Sequence, residues 1–103
     1  MRTRPYKETQ NFVKWREGLR DQSALGRVMK RIVRLCCGNA GDHRFLGDGV
    51  SEMRIDYGPG YRVYYTEKLR EIVILLVGGD KRTQKADIKL AKELAAMIQE
   101  DET

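Results

Sequence analysis

Residues 49–81, GVSEMRIDYGPGYRVYYTEKLREIVILLVGGDK, decide the fold of this chain. Residues alternate between two faces over Val50–Tyr57 and again over Tyr61–Thr66, as in strands with one buried side. The intervening Gly-Pro-Gly at 58–60 predicts a short turn, because glycine accepts positive φ and proline fixes its own φ. A third strand is predicted over Ile72–Val77, closed by the two glycines at 78 and 79. The segment therefore predicts three consecutive antiparallel strands.

Charged residues are predicted to stand on one face of the first two strands. Pairing of Tyr57 with Tyr61 across the turn would place Arg62 opposite Asp56 and make Arg54 and Arg62 diagonal neighbours. Arginine suits a phosphate ligand, because its N–H groups contact two oxygens at once and it stays charged. Two more polar side chains are expected on this face, Glu52 and Tyr64. The pattern indicates a phosphate-handling site, although cross-strand salt bridges remain an open alternative.

Composition sets the class of protein. The 103 residues, 41% of them hydrophobic, suit one domain spanning 1–103, and the net charge of +5 favours an acidic partner, either nucleic acid or an acidic protein segment. The first ten residues lack the apolar stretch of a signal peptide, and the longest apolar run, Ile72–Val77, is far too short to span a bilayer. Cys36 and Cys37 are adjacent and there is one histidine, so no metal site and a cytoplasmic location are expected.

The flanking sequence predicts helices and one more strand. Thr3–Glu8 is a candidate edge strand, and the spacing of Phe12, Trp15 and Leu19 predicts a first helix. Ser23 is expected to cap a second helix that ends near Gly38-Asn39, and Thr83 a last helix that runs to about Met97. The segment from Asn39 to Gly49 is predicted to be a loop. The order β-α-α-β-β-β-α indicates an α+β domain with an antiparallel sheet and helices packed on one face.

Basic residues cluster in three further places, each readable either as a solvated surface or as an RNA contact. The second helix carries four basic residues between Ala24 and Cys37 and no acidic one: Arg27, Lys30, Arg31 and Arg34. Lys81, Arg82 and Lys85 surround the start of the last helix, where cations are electrostatically unfavourable and a functional use is more credible. His43 and Arg44 lie in the predicted loop, and an imidazole there would suit acid–base work.

The motifs GNAGDHRFLGDGVSEMRIDYGPGYRVYY and LLVGGDKRTQKADIKLAKEL, in this order of elements, resemble the RelE/ParE toxin superfamily. The resemblance is greatest to the HigB-like addiction module killer proteins. It implies the toxin of a type II toxin–antitoxin system, a metal-free endoribonuclease that cleaves messenger RNA on the ribosome. It also implies a cognate antitoxin, often of the helix-turn-helix kind and encoded by an adjacent gene, and no cofactor.

The resemblance also implies roles for individual residues. Arg62 matches the strand arginine that binds the scissile phosphate, and Arg54 the arginine of the preceding strand. Lys81 and Lys85 fall where other members place basic or aromatic catalytic residues. No tyrosine or histidine follows Val77, so the general acid of the best-known members is missing from its usual place. Four side chains remain candidates for proton transfer: Tyr64, Glu52, Lys81 and His43.

Two other functions fit the same resemblance. The first is a ParE-like toxin that inhibits DNA gyrase without cleaving RNA, because function depends on the site and not on the scaffold. The second is a module that binds RNA or an antitoxin and whose catalytic residues have decayed. The arginine pair with nearby lysines favours the nuclease, whereas the missing tyrosine or histidine keeps the decayed module open.

Overall fold

The computed structural model describes residues 3–100 as an α+β fold of five strands, three α-helices and one 3₁₀ turn. The elements are β1 (Tyr6–Glu8), α1 (Gln10–Glu17), α2 (Gln22–Cys36), β2 (His43–Gly47), β3 (Val50–Ile55), β4 (Tyr61–Lys68), β5 (Ile72–Asp80), the 3₁₀ turn (Lys81–Thr83) and α3 (Gln84–Glu100). No helix in this part of the chain is both long and apolar enough to cross a membrane.

The strands form one mixed sheet in the order β1-β5-β4-β3-β2. β1 pairs with β5 in parallel and the other neighbours are antiparallel, so the expectation of a wholly antiparallel sheet is wrong at this edge. The predicted loop at 39–49 is also wrong, because its second half is strand β2. β2 is an edge strand whose first three residues are exposed, so its sequence lacks the alternation of a half-buried strand.

The register of the β3–β4 hairpin differs by two residues from the prediction, and its loop is longer. Ile55, not Tyr57, stands opposite Tyr61, and Arg54 stands directly opposite Arg62. The difference arises because the connection is longer than the Gly-Pro-Gly turn and includes residues 56 and 57. A shift of two residues leaves each side chain on its predicted face, so the arginine pair is retained.

Helices cover both faces of the sheet, which corrects the prediction of helices on one face. α1 and α2 pack on one side, where Phe12 and Ile32 join a core with Val63 and Leu75. α3 packs on the other side, where Ala91 and Ala95 meet Tyr64 and Leu76. β5 is buried on both faces from Val73 to Gly79, as its unbroken apolar run allows.

The two glycines at 78 and 79 continue β5 and do not close it. A Cβ at Gly78 would lie 2.0 Å from the ring of Trp15, so glycine is required for α1 to pack here. A Cβ at Gly79 would lie 1.9 Å from Oδ2 of Asp87 on α3. These two close approaches seat a helix on each face of the sheet, beside the arginine-bearing end of β4.

The helix caps lie near, but not at, the predicted residues. Asp21, not Ser23, caps α2, and its carboxylate accepts from the backbone N–H groups of Ser23 and Ala24. Asp80 caps the 3₁₀ turn that leads into α3, and Thr83, the predicted cap, is the last residue of that turn. Asp80 therefore fixes where the 3₁₀ turn begins, directly after β5.

Candidate phosphate-binding cleft

Pairing of the strands brings four residues into one row across the sheet. Arg54 on β3 is opposite Arg62 on β4, and Arg62 is opposite Gly79 on β5. On the other side, the backbone N–H of Arg54 donates to the carbonyl of Asp42, 2.8 Å away, immediately before β2. Two arginines thus lie side by side at one end of the sheet, with a carboxylate next to one of them.

This row forms the floor of a cleft of about 360 Å³. The wall beside it comes from the β3–β4 turn and from the start of the 3₁₀ turn. The lining residues are Asp42, Arg54, Ile55, Asp56, Gly60, Tyr61, Arg62 and Lys81. Three basic side chains therefore face one space of a size suited to a small anionic group.

Arg62 forms a salt bridge with the buried carboxylate of Glu52. Its Nη1 donates to Oε1 of Glu52 at 3.2 Å, and the whole residue is only 9% exposed. Its Nε is buried without a hydrogen-bond partner among the described residues. A buried guanidinium with an unused donor is costly, and the carboxylate beneath it offsets that cost by fixing its charge and orientation.

Glu52 lies on β3 two residues before Arg54, in a second cross-strand row that lies deeper in the protein, beneath α3. It is fully buried, and besides Arg62 it accepts from Arg44 Nε at 3.2 Å and from Gln84 Nε2 at 2.9 Å. Arg44, Arg62 and Gln84 are all hydrogen-bond donors, so both carboxylate oxygens of Glu52 are hydrogen-bonded and shielded from solvent. Glu52 is thus placed to orient Arg62, and no substrate group reaches it.

Tyr64 pairs directly with Glu52 in the same deep row. It is fully buried, and its hydroxyl makes no well-formed hydrogen bond with a described residue. Burial raises the pKa of Tyr64 well above its ordinary value, and the negative charge of Glu52 raises it further. A phenol in this environment stays neutral and lies beneath the cleft, not in it.

Arg54 is bound to Asp42 on a loop that α2 holds in place. Both Nε and Nη2 of Arg54 donate to Oδ1 of Asp42, at 3.2 and 2.8 Å. Arg31 donates to three backbone carbonyls, those of Arg54 at 2.7 Å, Ala40 at 3.1 Å and Asp42 at 3.2 Å. Gly41, with φ of +63°, passes so close that a Cβ would lie 2.8 Å from Nη2 of Arg31. Arg31 thus anchors the loop to the sheet.

Lys81 is the basic residue that the 3₁₀ turn adds to the cleft. Its aliphatic stem crosses Gly60, where a Cβ would lie 3.1–3.3 Å from three of its carbons. Its neighbour Arg82 is instead paired with Asp80 at 2.9 Å, and Lys85 is exposed on α3. Neither of these two residues lines the cleft. Of the four candidates for proton transfer, only Lys81 does.

His43 is on the other side of the sheet. It pairs with Met53, whose side chain lies in the core beneath α2, whereas the arginine row faces α3. Its Nδ1 is 2.8 Å from the carbonyl of Gly41. Arg44, one residue on, faces the α3 side and binds Glu52. The alternation of the strand therefore separates His43 from the cleft.

The four basic residues of α2 line a neighbouring groove of about 330 Å³. Ile55 and Asp56 line both this groove and the cleft, so the two spaces adjoin. Arg27 lies over the ring of Tyr57, 4.3 Å from its centroid, at the turn between them. The side chains of the groove are Arg27, Lys30, Arg31 and Arg34, with Ile55 and Asp56.

The sequence pattern of the family described as Phage derived protein Gp49-like (DUF891) matches residues 5–96. The chain belongs to this Gp49-like family. It is a family of RelE-type toxins of toxin–antitoxin systems. The chain is also 48% identical over 89 residues to a Haemophilus influenzae strain Rd protein named "Uncharacterized protein", covering 86% of this chain and 90% of the relative.

Three residues that contribute to the site in this Gp49-like chain were not recognised in the sequence. Asp42 lies in a polar, glycine-rich segment whose pairing with β3 has no local signature. Gln84 binds Glu52 from the start of α3. Asp87 lies over Gly79, bonded to Oγ1 of Thr83 at 2.5 Å, and burial raises its pKa. Of these three residues, Asp87 had a signal in the sequence, because it follows Thr83 by about one helical turn.

Proposed function

We propose that this chain is the toxin of a type II toxin–antitoxin system and a metal-free endoribonuclease that cleaves messenger RNA on the ribosome. The observation that carries the proposal is the juxtaposition of Arg54 and Arg62 with Lys81 in one cleft. Membership of a RelE-type toxin family supports the toxin role. A cytoplasmic location follows from this proposal.

The proposed chemistry is attack of a ribose 2′-hydroxyl on the adjacent phosphorus. The 2′-oxygen bonds to phosphorus while the bond to the 5′-oxygen breaks, leaving a 2′,3′-cyclic phosphate and a 5′-hydroxyl. Charge accumulates on the non-bridging oxygens, and the guanidinium groups of Arg62 and Arg54 would stabilise it. The ammonium of Lys81 would give a proton to the departing 5′-oxygen.

Rigid placement makes Arg62 the principal phosphate ligand in this proposal. It projects from a central strand and is oriented by Glu52, at 3.2 Å, so little reorganisation is needed when charge develops. Arg54 is more exposed, at 40%, so its side chain is freer to follow the substrate. The adjoining groove along α2 would receive flanking phosphates through nonspecific electrostatics.

The direct test is primer extension on a reporter messenger RNA after brief induction of the wild type. Discrete in-frame cuts are expected, and they should be lost in Arg62→Ala. Arg62→Lys is a second variant that keeps the charge above Glu52 but loses the two-pronged contact. Arg20→Ala, which removes an exposed arginine outside the cleft, is the matched control. Circular dichroism checks that each variant folds.

The outcomes separate the competing functions. An intact transcript together with growth arrest would refute the nuclease and favour inhibition of gyrase, which a supercoiling assay then measures. Neither cleavage nor arrest would favour the decayed binding module. Cleavage that persists in both Arg62 variants would overturn the assignment of the site but not the activity.

The proposed partner is an antitoxin of the helix-turn-helix type encoded by an adjacent gene. Co-expression of the neighbouring reading frame with this chain should relieve growth arrest, and the two proteins should co-purify. A gene without such a neighbour, or a neighbour that neither binds nor protects, would contradict the addiction-module proposal.

A further inference from the structure

Asp42 has a position in the cleft that the proposed reaction leaves unused. Its carboxylate lines the cleft beside Arg54 and is 57% exposed. Both hydrogen bonds from Arg54 go to Oδ1, so Oδ2 has no hydrogen bond among the described residues. An accessible carboxylate oxygen therefore lies next to a proposed phosphate ligand.

The loop that carries Asp42 is held more firmly than a surface loop usually is. Its backbone carbonyl accepts from the N–H of Arg54 at 2.8 Å and from Nη2 of Arg31 at 3.2 Å. Arg31 also bonds to Ala40, and the side chain of Asn39 accepts from the N–H of Gly41 at 3.1 Å. These bonds tie the loop to both α2 and β3. The carboxylate is therefore presented in a defined place, as a general base must be.

Glu52, the carboxylate among the four candidates for proton transfer that the sequence left open, does not meet this requirement. It is fully buried and surrounded by Arg62, Arg44 and Gln84, so a ribose hydroxyl has no path to it. Asp56 also lines the cleft, but it is exposed and has no ion pair among the described residues. Among the described residues, only Asp42 is an accessible carboxylate in direct contact with an arginine of the row.

We propose that Asp42 is the general base of the reaction, an inference that rests on the proposed ribonuclease function. Its Oδ2 takes the proton from the ribose 2′-hydroxyl as the 2′-oxygen bonds to phosphorus. The bond from phosphorus to the 5′-oxygen breaks, and that oxygen takes a proton from Lys81. Asp42 and Lys81 then exchange protons with water, which restores the starting charges.

The test is single-turnover cleavage of a ribosome-bound messenger RNA by purified protein at saturating concentration. Asp42→Asn keeps the shape of the side chain and a partner for Arg54 but removes the base, so the cleavage rate constant should fall by about 100-fold or more. Binding of the RNA should be unchanged or tighter, because a negative charge near phosphate is lost. Asp48→Asn removes an exposed carboxylate that pairs with Lys92 outside the cleft and the groove, so it is the matched control and should retain the wild-type rate. Asp56→Asn tests the other carboxylate that lines the cleft.

Two further readouts separate a base from a residue that merely holds Arg54. Asp42→Glu should recover part of the rate, since it restores a carboxylate. The wild-type rate should fall at acidic pH, where a carboxylate base takes up a proton, and Asp42→Asn should lose this dependence. If Asp42→Asn instead weakened binding and kept its pH dependence, Asp42 would be a positioning residue and the proposal would be wrong.

Failure of this inference differs from failure of the proposed function. Cleavage by Asp42→Asn at or above the wild-type rate overturns the base and leaves the ribonuclease standing. A larger loss in Asp56→Asn than in Asp42→Asn also overturns it. Absence of cleavage by the wild type, with intact growth arrest, refutes the ribonuclease and the base together.

Discussion

Glu52→Gln tests whether the buried carboxylate holds the cleft together. The substitution keeps the shape of the side chain but removes the charge that faces Arg62 and Arg44, each 3.2 Å from Oε1. Breaking a buried ion pair costs about 3–5 kcal/mol. Arg44 is 51% exposed and regains water, so the expected loss lies nearer to about 1.5–3 kcal/mol, the range for hydrogen bonds to charged groups.

The measurement is urea unfolding followed by circular dichroism, with the free energy of unfolding extrapolated to water. Glu71→Gln, at an exposed position in the β4–β5 turn, is the matched control and should change stability by less than about 0.5 kcal/mol. A double-mutant cycle with Arg62→Gln isolates the pair, and a coupling of about 0.5–3 kcal/mol is expected.

Equal stability of Glu52→Gln and the wild type would refute this account of the deep row. So would a coupling energy near zero, because Arg62 would then be held by something other than Glu52. A loss of RNA cleavage in Glu52→Gln that exceeds the loss in Arg62→Ala would indicate that Glu52 acts on the substrate directly. That result would also contradict its placement beneath the cleft.

Four other perturbations give clear expectations. Gly78→Ala should cost about 3 kcal/mol in urea unfolding, because its Cβ would overlap Trp15, whereas Gly26→Ala, in open space on α2, should be neutral or stabilising. Gly60→Ala should strain a residue at φ +80° by about 1–3 kcal/mol and displace Lys81, so cleavage should fall more than stability does. Asp80→Asn keeps a capping side chain but loses the pairing with Arg82 that lowers the pKa of Asp80. Stability from a lowered pKa is present above the unfolded value of about 3.9 and is lost at lower pH, so thermal melting curves of wild type and variant should converge below about pH 4. RNA binding, measured by filter retention, should weaken steeply between 50 and 200 mM salt, at about tenfold or more, and insensitivity to salt would contradict the electrostatic account.

The sequence was sufficient for the elements whose burial pattern is local. β3 and β4 alternate in polarity, and β5 is a continuous apolar run, so all three strands were predicted within a few residues. β2 was missed because an edge strand with exposed residues has no such pattern. Its existence depends on pairing with β3, which is a property of the tertiary structure and not of the segment itself.

The same distinction explains what was predicted of the site. Arg54 and Arg62 were placed on one face from strand periodicity alone, and a two-residue error in pairing left that face unchanged. The roles of the surrounding carboxylates were not predictable, because burial of Glu52 requires α3 to cover it. The position of Asp42 requires Arg31 to hold the loop. Both depend on contacts between residues distant in the sequence.

The charges of the cleft and of the groove along α2 indicate a different role for each in the proposed binding of RNA. The charged side chains that line the cleft are Arg54, Arg62 and Lys81, with the carboxylates of Asp42 and Asp56. Three positive charges and two negative ones leave a net charge of only +1, so the cleft attracts RNA weakly at long range. The groove along α2 has four basic side chains and one carboxylate, and it adjoins the cleft at Ile55 and Asp56. Under the proposed function, long-range attraction of RNA should therefore come from the groove, whereas the cleft should recognise the phosphate by geometry.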